Sequence, residues 1–134
     1  MIQAAVEFAE HDSAVPACAV LDRAHLSRMT FNDHSLEREV LQLFERQAEL
    51  LMTRMRNSGP AAVATLAHTL KGSAVGIGAA RVAQAAIAVE QAASSAPDEC
   101  HDAIDQLAHA VDEVRAEIVA MQCQRWQGMA SRRK

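Results

Sequence analysis

From Ile104 to Met121 the apolar residues Ile104, Leu107, Val111, Val114, Ile118 and Met121 alternate spacings of three and four without a break. Residues so spaced line one side of an α-helix; a β-strand, with its period of two, cannot hold them on one face. A stripe of that length has to be buried against other helices. It therefore predicts the seam of an antiparallel bundle and requires the earlier segments to supply matching stripes. With only 3% aromatic residues and no tyrosine, the chain is also poor in the residues that favour strands.

The matching stripes are present. Residues 1–20, interrupted by Pro16, are weakly patterned and read as an N-terminal tail with room for one short helix. Asp22 is a good N-cap for a short first helix to Thr30, with Leu26 and Met29 one turn apart. Asn32-Asp33 breaks and recaps the chain. From about His34 to Asn57, Leu36, Val40 and Leu43 form one stripe and Leu41, Phe44, Ala48, Leu51 and Met55 an adjoining one. An apolar face so wide needs cover from more than one neighbour. Ser58-Gly59-Pro60 stops that helix and starts the next, which runs to about Val75 and buries Val63, Leu66, Leu70 and Ala74. Gly76-Ile77-Gly78 reads as a turn. A fourth helix from about Ala79 to Ala93 offers Val82, Ala86 and Val89, and the last spans about Pro97 to Gln124 with Asp98 and Glu99 in its first turn.

The expected fold is all-α: an antiparallel up-down-up-down four-helix bundle over residues 21–124, with a short additional N-terminal helix capping one end and a basic C-terminal tail at 125–134. A chain of 134 residues is the size of one such domain.

Charge and cysteines narrow the function. A formal net charge of -4, with Arg132-Arg133-Lys134 as the only basic cluster, gives no field for gripping nucleic acid. Cys18, Cys100 and Cys123 are odd in number and widely spaced, which fits free thiols in a reducing compartment. No apolar run approaches the ~18 residues of a membrane span, and Glu7 and Glu10 interrupt what a signal peptide would keep apolar. The expectation is a cytoplasmic protein without a membrane or nucleic-acid partner.

If Val63, Leu66, Leu70 and Ala74 face inward, Ala61, Ala64, Thr65, His68, Lys71, Gly72 and Val75 face outward. A lone exposed histidine ordinarily has no role. His68, however, has Gly72 one turn beyond it, where glycine costs about 1 kcal/mol relative to alanine but lets another protein approach the imidazole. Lys71 can place an ammonium near an anion carried on the ring. With the hairpin centred at about residue 79, Glu90 stands level with His68, roughly 16 Å from the turn at 1.5 Å per residue. Glu90 is thus placed to accept from one ring nitrogen and leave the other as a nucleophile. The rival reading is an exposed glutamate making no such bond.

The stretch His68-Thr69-Leu70-Lys71-Gly72-Ser73-Ala74, with Gly78 ten residues after the histidine, resembles the signature of histidine-containing phosphotransfer (HPt) domains, and the resemblance spans about Leu21 to Met121. It implies a phosphoryl carrier of multistep two-component phosphorelays, with His68 as phosphoacceptor, Lys71 beside the phosphoryl group and Glu90 orienting the ring. Gly72 and Gly78 would be the partner-access glycines. Partners would be response-regulator receiver domains and a hybrid histidine kinase, met by a monomer. The carrier would have no cofactor, ATP site or turnover of its own, and Mg²⁺ would sit on the receiver. Leu26, Met29, Thr65 and Val75 are the candidate docking surface, although Leu26 and Met29 can equally cap the core.

Three other readings compete. A phosphoacceptor and dimerisation domain acting with a histidine kinase usually carries an acidic residue where Thr69 stands. A helical adaptor would bind receivers or other proteins without phosphorylation. A metal site at His101, Asp105 and His109 is disfavoured because the two histidines are more than two turns apart. His11, His25 and His34 read as solvated or rim residues.

Overall fold

Capping chemistry sets the helix boundaries. In the computed structural model, which describes residues 20–132 and the side chains of 20–123, α1 is Arg23–Met29 and α2 is His34–Arg56. The Asp22 carboxylate accepts from the backbone N–H of His25, and that of Asp33 from Ser35 and Leu36, which satisfies donors that a helix start leaves unpaired. Helix α3, Pro60–Ile77, follows Gly59 with proline in its first turn, and α4 is Ala80–Ser95. A 3₁₀ turn at Pro97–Glu99 leads into α5, Cys100–Arg132. No strand occurs among the described residues. The N-terminal tail expected at 1–20 lies, but for Val20, outside them.

All five helices feed one core. Phe44 and Leu51 of α2, Leu70 of α3, Val82 and Val89 of α4 and Leu107 and Ile118 of α5 are buried together. The most extensive pairing is α3 against α4. Its buried surface is mostly alanine, with Ala67 and Ala74 on one helix and Ala83, Ala86 and Ala93 on the other. Small side chains let two helix backbones approach, and this brings short polar side chains of the two helices within reach of each other.

α1 crosses the end of the bundle beside the α3–α4 turn. The N–H of Asp22 donates to Gly78 O at 2.9 Å, and His25 Nε2 lies 3.1 Å from Gly76 O. Gly78 caps α3 in the left-handed conformation, φ 81°, and a Cβ there would meet the Asp22 Cβ at 3.0 Å and its carbonyl oxygen at 3.1 Å. Both the turn and the close approach of α1 therefore require glycine.

Five expectations change. Leu26 is fully buried, because it plugs the core from α1, and so cannot belong to a docking surface. On α3 the inner row is Val63, Ala67, Leu70, Ala74 and Ile77, while Leu66 is only half-buried. The helix also continues through Gly76 to Ile77, leaving the turn to Gly78 and Ala79. Leu43 is 60% exposed, so among the described residues the outer stripe of α2 lacks the second neighbour its width called for. Finally, α5 continues past Gln124 to Arg132 rather than ending in a tail.

Candidate functional site

α3 carries no carboxylate, and its only charged residue besides the titratable His68 is Lys71. His68 lies halfway along it, with its side chain 66% exposed. Its Nδ1 is 3.0 Å from Glu90 Oε2 of α4, whose side chain is 27% exposed. An ionised carboxylate can only accept, so Nδ1 carries a proton in this contact, and in the neutral ring the lone pair is then on Nε2. Among the described residues no group bonds to Nε2. The pairing thus orients the imidazole, with Nε2 as the ring nitrogen that Glu90 does not hold.

The surroundings are open. A Cβ added at Gly72 would meet nothing within 4 Å, so no packing among the described residues requires glycine at that place in the helix. Lys71 is half-buried and makes no ion pair with the described residues, which leaves its ammonium available one turn from the ring. Thr65 is exposed, its hydroxyl turned back to Ala61 O. Val75 and Met29 are 57% and 52% exposed.

His68, Lys71, Gly72 and Glu90 are therefore assembled on one face, with Thr65 and Val75 along the same helix. Gly78 is not among them: its positive φ and the Asp22 and His25 atoms that a Cβ there would meet fit a turn glycine packed against α1. Sequence reasoning missed Phe31, 82% exposed in the α1–α2 turn, and the exposure of Leu43. For Phe31 the preceding cap left no periodicity to read. For Leu43 the signal was the apolar stripe itself, which no described neighbour covers.

Asp105 pairs with Arg56 at 2.9 Å and His109 lies 3.8 Å from Glu113, so His101, Asp105 and His109 do not converge. Among the described residues no group of three His, Cys, Asp or Glu side chains is placed to hold a metal. No described helix is long and apolar enough to cross a membrane.

The Hpt domain family model matches residues 39–117, more than half of the chain. The chain belongs to the Hpt domain family. A structural neighbour is a rice protein described as a histidine-containing phosphotransfer protein, with a TM-score of 0.73 over 86% of this chain and 88% of that one. At 18% identity this likeness speaks for the fold alone. No curated protein matches the chain at a significant level. Hpt domains are phosphocarriers of phosphorelays that interact with receiver domains, and this Hpt chain has a phosphotransfer-type role of that kind.

Proposed function

We propose that this Hpt protein carries a phosphoryl group on His68, accepting it from a receiver-domain aspartyl phosphate and passing it to an aspartate on another receiver. The observation that carries the reading is the 3.0 Å contact between Nδ1 of the exposed His68 side chain and Glu90. The Nε2 lone pair attacks phosphorus in line, the N–P bond forms as the P–O bond to the aspartyl carboxylate breaks, and the carboxylate leaves as an anion. The ring keeps its Nδ1 proton and becomes cationic, a charge that Glu90 offsets, while Lys71 offsets the phosphoryl oxygens. The second transfer is the reverse reaction with a different carboxylate.

Such a step needs positioning and charge stabilisation more than covalent chemistry from the protein, which fits a site of three polar side chains and a clear approach. The remaining features follow from this reading. The four long helices run up-down-up-down; Mg²⁺ belongs to the receiver; a hybrid histidine kinase stands upstream; the docking form is a cytoplasmic monomer without an ATP site of its own. Gly72 admits the receiver, and Met29, Thr65 and Val75 border it.

Incubation with a phosphorylated receiver tests the proposal. Label is expected to move to this chain in an acid-labile, base-stable form and to be absent from His68→Gln. Labelling from ATP alone would instead favour a kinase-associated phosphoacceptor domain.

A further inference from the structure

Helix α4 buries its large apolar side chains with one exception. Val82 and Val89 are fully buried and most of the other positions are alanine, whereas Ile87 is 39% exposed. A β-branched residue gains nothing there from helix propensity, which favours alanine. The His68–Glu90 contact fixes the register of α3 against α4. Lys71 and Ile87 each lie three residues from that pair, toward the turn at Gly78 and Ala79, so they share the next level about 4.5 Å on at 1.5 Å per residue. Ile87 therefore holds the α4 position from which a carboxylate would reach Lys71 most directly.

Cations at other helix boundaries do find carboxylates across the boundary: Arg23 pairs with Glu117, Arg56 with Asp105 and Arg81 with Glu113. Lys71, on the most extensive of the helix pairings, is half-buried and has no ion-pair partner among the described residues. α3 has no carboxylate, and the single one on α4, Glu90, is engaged by His68.

We infer that Ile87 is a positioning residue for transfer: an apolar side chain level with Lys71 leaves the ammonium without an internal partner and so free for the phosphoryl oxygens on His68. The inference rests on His68 as the phosphoacceptor. A lysine already held by a carboxylate has that pair to break before it can turn to a phosphoryl group, and its charge is partly offset before the receiver arrives.

Single-turnover transfer from a saturating phosphorylated receiver, with a separate binding titration, distinguishes the transfer step from docking. Ile87→Glu supplies the missing carboxylate and should slow labelling of His68 about fivefold while receiver affinity stays within about twofold. Ile87→Leu, equally apolar, should keep the parent rate. In a Lys71→Ala background Ile87→Glu should cause no further loss, because the cation it engages is gone. Circular dichroism checks the fold of each variant, and glutamate and leucine are both good helix formers. An Ile87→Glu chain that transfers at the parent rate would overturn the inference. So would an Ile87→Leu chain as slow as Ile87→Glu, or an equal loss with and without Lys71, which is general repulsion of an acidic receiver. A loss of receiver affinity with the rate from the bound complex unchanged would assign Ile87 to docking and overturn it too. A parent chain that takes no label, by contrast, fails the reading of His68 and the inference with it.

Discussion

Gly72 separates stability from function, because substitutions there are expected to move the two in opposite directions. It lies inside an 18-residue helix, exposed, with open space where a Cβ would stand. Alanine at such a position stabilises by about 1 kcal/mol, through helix propensity and a less flexible unfolded chain. At about 2.1 cal/mol/K of unfolding entropy per residue, the 113 described residues give roughly 0.24 kcal/mol/K, so Gly72→Ala should raise Tm by about 4 °C. Gly72→Gln gains less, about 0.5 kcal/mol, because glutamine gives up part of the advantage of alanine. Transfer should fall with side-chain size. Gln projects into the space beside the imidazole, and losing about 1.4 kcal/mol of docking there slows transfer about tenfold. The assays are thermal denaturation by circular dichroism and single-turnover transfer from a phosphorylated receiver. A Gly72→Gln chain that transfers at the parent rate would refute the clearance argument. A less stable Gly72→Ala chain would refute the account of the helix.

Other substitutions test separate parts of the structure. Gly78→Ala should destabilise by about 2–4 kcal/mol, from the left-handed backbone and from displacement of Asp22, measured by denaturant unfolding. Leu26→Ala should cost about 2–5 kcal/mol by leaving a cavity, while receiver affinity under folded conditions stays unchanged. Glu90→Gln retains an oxygen that accepts from Nδ1 and should keep most of the transfer rate. Glu90→Ala frees the ring and should slow transfer about tenfold with receiver affinity unaltered.

Much of this was readable from residue order alone, for specifiable reasons. Asp22, Asp33 and Pro60 start helices by local hydrogen bonding or by a missing N–H, so their positions do not depend on the rest of the fold. The α5 row is likewise local, and Ile104 to Met121 are buried as its spacing requires. The level of Glu90 with His68 followed from counting residues out from a turn.

What the sequence withheld depended on neighbours. Leu26 and Met29 look alike at one-turn spacing, yet only the seating of α1 on Gly76 and Gly78 turns Leu26 into the core and leaves Met29 in solvent. Leu66 gave way to Ala67 because α4 approaches α3 closely enough to reward the smaller residue. Gly78 carried two meanings, a turn and an opening. The arrival of Asp22 against it decided for the turn.

The central claim is that His68 accepts the phosphoryl group at Nε2 while Glu90 holds the proton on Nδ1. Nitrogen-15 NMR of the chain labelled at histidine, recorded before and after transfer from a phosphorylated receiver, reads this directly. The account predicts that the Nε2 resonance of His68 alone acquires coupling to phosphorus, with Nδ1 still protonated. Phosphorus on Nδ1, or on any residue other than His68, would contradict it.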